Sequence, residues 1–96
     1  MEALIRRPEG RIDMDTAAGL IAWLDDAAPQ GGVVRLDMSG VSDADSAALA
    51  LLLEWRRRLA RRDVRLDIAG MPPGLTALTR LYGLEDMFLP AVEPTP

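Results

Sequence analysis

Val33-Val34-Arg35-Leu36-Asp37, followed by Val41-Ser42-Asp43-Ala44-Asp45-Ser46-Ala47-Ala48-Leu49, decides how this chain folds. The first run is β-branched at its start and sits between Gly32 and Gly40, so Val33 to Met38 reads as a central strand. The second leads from a loop into an amphipathic helix and puts one hydroxyl, that of Ser46, at the helix entrance. Asp45 and Ser46 are both good N-cap residues, and the backbone N–H groups of a helix start favour an anion. Ser46 therefore reads as a switch or contact point. The plainer reading is that the Asp45-Ser46 pair only caps the helix.

From Ser46 to about Arg62, Leu49, Leu52, Leu53 and Leu59 form one helical stripe, with Glu54, Arg57, Arg58 and Arg61 mostly elsewhere. At about 100° per residue, Leu51 and Trp55 fall ~40° apart and away from the Leu49/Leu53 centre of that stripe, which predicts that they are exposed. A tryptophan beside a leucine at a helix edge suits a partner anchor, because interface hot spots are rich in Trp and Arg. Trp55 folded over the sheet edge as peripheral core is the alternative. The candidate partner-binding patch is Asp45, Ser46, Ala47, Leu51, Trp55 and Arg58. Arg56 falls within the apolar face, its stem lying along the core and its guanidinium snorkelling outward.

Upstream, Leu4 to Arg7 reads as a short strand ended by Pro8. A helix follows, N-capped by Asp13 or Asp15, with Leu20, Trp23, Leu24 and Ala27 at i, i+3, i+4 and i+7; Pro29 and Gly31-Gly32 stop it. Downstream, Val64-Arg65-Leu66-Asp67-Ile68-Ala69 alternates as a strand with Val64, Leu66 and Ile68 inward. Pro72-Pro73-Gly74 opens another helix whose buried face is Leu75, Leu78 and Tyr82, and Gly83 ends it as a C′ residue with Leu84 packing behind. Met87, Phe88 and Leu89 extend one last element. The order β-(β)-α-β-α-β-α demands parallel pairing, hence an α/β fold: a small, mostly parallel sheet with helices packed against it. Functional loops of such sheets lie beyond the carboxyl ends of the strands, where Asp43, Asp45 and Ser46 fall. One domain over residues 1–90 and a flexible tail over 91–96 is the expected organisation.

Composition narrows the chemistry. The 96 residues are 49% hydrophobic, enough for one core without staples. There is no cysteine and no histidine, so disulfides, thiolate metal sites and histidine-assisted nucleophiles are excluded. No G-x-x-x-x-G-K-[ST] loop occurs, so the chain is not expected to hydrolyse nucleotides, and it reads as non-enzymatic with no cofactor. Asp37, Asp43 and Asp45 read as structural rather than as metal ligands. The net charge of −4 argues against nucleic-acid binding. All eleven basic residues are arginine, which reflects coding bias, and the cluster around Arg56-Arg57-Arg58 and Arg61-Arg62 reads as a solvated flank. Neither a membrane span nor a signal peptide is visible, which predicts a cytoplasmic protein that meets a membrane only through a partner.

Three places carry a resemblance to the STAS domain family: Gly10-Arg11-Ile12-Asp13 before Thr16-Ala17, the strand Val33 to Asp37 with Ser39-Gly40-Val41, and Asp45-Ser46-Ala47 followed by Leu49. That family includes anti-sigma-factor antagonists, cytoplasmic tails of sulfate-type transporters and small ABC-transporter subunits. The resemblance implies that Ser46 is the phosphorylation or partner-contact residue. The stretch from Met71 to Leu84, ending Leu-Tyr-Gly-Leu, most resembles the STAS subunit of the Mla phospholipid-transport ABC system, as do the short N-terminal strand region and the Ser-Ala motif tail. The resemblance thus implies a subunit that binds and regulates or stabilises the transporter's ATPase subunit, peripheral to the inner membrane through it. The alternative it implies is an anti-sigma-factor antagonist switched by phosphorylation of Ser46, with an anti-sigma kinase as partner. One position departs from the family pattern: Ala48 stands where glycine is usual, and its methyl group is expected to narrow the helix entrance.

Overall fold

The computed structural model of the chain describes residues 3–88. Its elements are β1 (Ala3–Arg6), β2 (Gly10–Ile12), α1 (Met14–Ala27), β3 (Gly32–Asp37), a 3-10 turn (Met38–Gly40), β4 (Val41–Ala44), α2 (Ser46–Ala60), β5 (Val64–Ala69), α3 (Pro73–Leu81) and α4 (Glu85–Phe88). Strands β1, β3 and β5 form one parallel sheet with β3 central, and β2 pairs with β4 in a second, two-stranded parallel sheet. The α/β architecture is the expected one, with its strands divided between two sheets. Leu89 and the tail over 91–96 lie outside the described residues.

The central strand shows why the helices gather on one face. Val34 pairs in register with Leu4 and Leu66, and Leu36 with Arg6 and Ile68. Val34 and Leu36 are fully buried, whereas Arg35 between them is exposed and lies 3.9 Å from Asp67 of β5. This period of two gives the sheet one apolar side. Ile12, Leu24, Met38, Leu52, Trp55, Leu59, Leu75 and Phe88 join that side in a single core. α2 lies at its centre, packing on α1, α3 and β5.

The short elements start and stop for local reasons. Asp13 caps α1 through its carboxylate, which accepts from Asp15 and Thr16 N–H, while the Thr16 hydroxyl accepts from the Asp13 N–H in a full capping box. Pro73 is the first residue of α3, where a missing N–H costs nothing. Gly83, at φ 72°, closes α3: its N–H donates to Arg80 O at 3.1 Å and the Leu84 N–H to Thr79 O at 2.9 Å, the paired bonds of a Schellman motif. Because Tyr82 is the C-cap of that turn, its ring is 60% exposed instead of sharing the buried face with Leu75 and Leu78; Thr79 is buried there, donating to Leu75 O at 2.8 Å.

Candidate functional site: the entrance of α2

Two βα units deliver two helix starts side by side. Ile12 of β2 pairs with Ala44 of β4, and each strand is followed by an aspartate N-cap, Asp13 for α1 and Asp45 for α2. The Asp45 carboxylate accepts from Ala47 N–H at 2.8 Å, so Asp45 alone is the cap and Ser46 is the first helical residue. That position leaves Ser46 exposed, with its hydroxyl uncommitted to capping. Ala48, by contrast, is 1% exposed: its methyl group points into the core and leaves the approach to Ser46 open, contrary to the expectation from the family pattern.

Two depressions flank this entrance. One, of about 290 Å³, is polar and lies between the two caps, lined by Arg11, Asp13, Asp43 and Asp45 among others; Arg11 Nε is 3.8 Å from Asp13 and 4.0 Å from Asp43. Its carboxylates outnumber its one guanidinium, so it does not favour a bound phosphate. The other is an apolar groove of about 420 Å³ formed by Ser46, Leu49, Ala50 and Leu53 of α2 with Tyr82 and Leu84. Among the described residues no group of three or more His, Cys, Asp or Glu side chains is placed to hold a metal ion.

The sequence-derived patch does not survive as one surface. Asp45, Ser46 and Ala47 do lie together at the start of α2. Leu51 and Trp55, expected to be exposed, are 3% and 0% exposed. The apolar residues of α2 span more than half its circumference, so the sequence admits two rotations of the helix. The observed one centres the buried stripe on Ala48, Leu52, Trp55 and Leu59, about 100° from the Leu49/Leu53 centre. Burying the indole, which carries the most apolar surface on the helix, drives that choice. Trp55 packs 6.2 Å from Trp23, itself beneath the Arg6 guanidinium at 4.3 Å. The same rotation swings Arg56 out of the apolar face into solvent. Arg58 faces α1, where it donates to the Asp25 carboxylate, on a different side of α2 from Ser46.

Leu53 and Tyr82, both expected on buried faces, are instead 38% and 60% exposed and form the groove beside Ser46. For Leu53 the spacing offers a second face, since Ser46, Ala50, Leu53 and Arg57 follow i, i+4, i+7 and i+11, but the apolar run Ala47 to Leu53 does not choose between the two; no such spacing marks Tyr82, the C-cap of α3. Arg57 is held there by Glu54, with contacts of 2.9 and 2.6 Å to its two carboxylate oxygens. The Arg57 hydrogen bond keeps the Glu54 carboxyl below the usual glutamate range.

The family model described as "Mlab, STAS domain" matches residues 8–91, nearly the whole chain. The chain belongs to the STAS domain family. No curated protein sequence matches it. Among solved structures it is similar to the anti-sigma factor antagonist SpoIIAA in its unphosphorylated form, with 21% identity, TM-score 0.73, and 96% of this chain and 82% of that chain covered. The Bacillus cell fate determinant SpoIIAA in its phosphorylated form gives 20% identity and TM-score 0.67, over 96% and 85% of the two chains. A sulfate transporter family protein from Wolinella succinogenes gives 22% identity and TM-score 0.68, over 88% and 69%. At these identities the likeness is one of fold. Among the described residues no helix is long and apolar enough to cross a membrane.

Proposed function

We propose that this chain is a non-enzymatic STAS subunit that docks through the entrance of α2 onto the ATPase subunit of a phospholipid-transporting ABC complex, and that this partner holds it at the cytoplasmic face of the inner membrane. The observation that carries the reading is Ser46, exposed in the first turn of α2 on the rim of the apolar groove that Leu53 and Tyr82 share. The match to the "Mlab, STAS domain" model supports the choice of partner. In this arrangement Ser46, Asp45 and Ala47 supply polar contact and the helix N-terminus, and Leu53 and Tyr82 supply the desolvated anchor that docking needs. Arg58 is left to its structural pairing with Asp25.

Affinity purification of the tagged chain, with mass spectrometry of what it retains, tests the reading. An ABC ATPase subunit is expected in the wild-type eluate and lost from Leu53→Glu and Ser46→Arg variants that stay folded. Its absence from the wild-type eluate overturns the proposal. A second reading, an anti-sigma-factor antagonist switched at Ser46, draws on the likeness to SpoIIAA, solved both unphosphorylated and phosphorylated. Phosphate on Ser46 would add about −2 charge beside the groove. That reading predicts ATP-sensitive retention of a kinase instead.

A further inference from the structure

We propose that, when no other partner covers it, the outward stripe of α2 is closed by a second copy of this chain, the two α2 helices lying antiparallel about a two-fold axis. The inference goes beyond the docking role and holds whatever the docking partner is. Its basis is the order of chemistry along one exposed line. Ser46, Ala50, Leu53, Arg57 and Ala60 are all exposed and, at about 100° per residue, stay within a single narrow face. Ala50 and Leu53 lie in the middle of that face and Arg57, paired with Glu54, and Arg61 at its C-terminal end, while Asp43 and Asp45 stand beside its N-terminal end, on the depression between the two caps.

Such a line is complementary to its own reverse. An axis between Ala50 and Leu53 sets each Leu53 over the small Ala50 of the other copy, beside the groove edge formed by Tyr82 and Leu84. It brings Arg57 and Arg61 of one copy against Asp43, Asp45 and Ser46 of the other, twice over, as an isologous contact requires. Glu54 pre-orders Arg57 for this, so little side-chain freedom remains to be lost. The two helix dipoles also oppose one another in this arrangement. A parallel pairing fails on charge, because it sets aspartate against aspartate and arginine against arginine. A helix of 15 residues is roughly 22 Å long, so the contact falls below standard interface size and the pair is weak and reversible. Since it covers Ser46, self-association and docking exclude each other.

Sedimentation equilibrium of the purified full chain tests this, from roughly 5 µM to 500 µM, a span that brackets weak, reversible association. The expected result is a mass rising with concentration toward that of two chains, less steeply at high salt. Arg57→Glu/Arg61→Glu changes exposed positions only and is expected to weaken association at least tenfold, as is Leu53→Arg. Asp43→Arg/Asp45→Asn, which keeps a competent N-cap, is expected to weaken it likewise. Mixing the two charge variants, with circular dichroism confirming that each is folded, is expected to restore a mixed pair, which a merely structural effect would not do. A monomer throughout the range, or a dimer indifferent to these substitutions, overturns the proposal. An ATPase subunit still captured by a chain that stays monomeric overturns this inference alone, and a self-associating chain that captures none overturns the docking reading alone.

Discussion

The indole N–H of Trp55 donates to the backbone carbonyl of Leu20 at 3.3 Å, tying the middle of α2 to the middle of α1 through a side chain with no exposed surface. Tryptophan placed there is a structural pin between helices. Trp55→Ala is expected to cost about 3–5 kcal/mol of stability through the cavity it leaves. Urea unfolding checks this, and partner capture by the variant is expected to fall only with the folded fraction.

Leu53 and Tyr82 should behave in the opposite way. Both are exposed groove residues, so Leu53→Ala and Tyr82→Ala are each expected to move the unfolding free energy by less than about 1 kcal/mol. Each is expected to weaken partner binding by about tenfold or more. Calorimetric titration of the purified pair separates the two effects.

Ser46→Glu places a negative charge in the first turn of α2, where the helix dipole favours it. Stability is expected to rise by about 0.3–1 kcal/mol at low salt. On the proposed docking, partner binding is expected to fall, since the same carboxylate would meet the partner at the groove rim. A rise in melting temperature together with a loss of capture is the pattern to look for.

Replacing the cap tests whether the entrance geometry matters. Asp45→Ala removes the acceptor for Ala47 N–H and is expected to cost about 1 kcal/mol, whereas Asp45→Asn keeps the bond and most of the stability. Chemical denaturation of the two variants side by side reads the difference.

Asp37 supplies a pH dependence. Its carboxylate accepts from Ser39 N–H at 3.0 Å, the chief cause of a pKa held below the ordinary aspartate value, with Arg7 at 3.7 Å adding to it. A carboxyl lowered on folding contributes stability that is present above the unfolded-state value of about 3.9 and is lost as the pH falls through the lower folded-state value. Asp37→Asn is therefore expected to be less stable than the wild type at pH 6, the gap narrowing as acid is added. Unfolding midpoints measured across that range check it.

Much of the fold could be read from residues whose choice is local. Gly83 before Leu84 marks the end of α3, Pro73 its start, and the alternation from Val64 to Ala69 gives β5 to the residue. β4 escaped because four residues carry no measurable period, and the bracketed second strand of the expected order gains its residues, Gly10–Ile12, only through pairing with Val41–Ala44. The site was half legible. Asp45 and Ser46 announce a helix start by chemistry alone. The rotation of α2 is decided by tertiary packing, since Ala47 to Leu53 is apolar at every position and a helical wheel cannot choose between its sides.

The small β2–β4 pair has a mechanical meaning. It yokes the mouths of the two longest helices, so Asp13 and Asp45 hold fixed positions relative to each other and any strain at the Gly10/Arg11 register shift reaches both together. On the proposed docking, a partner held at Ser46 would therefore also bear on the Asp13 turn through this pair. Amide exchange in those two first turns should accordingly rise and fall in step.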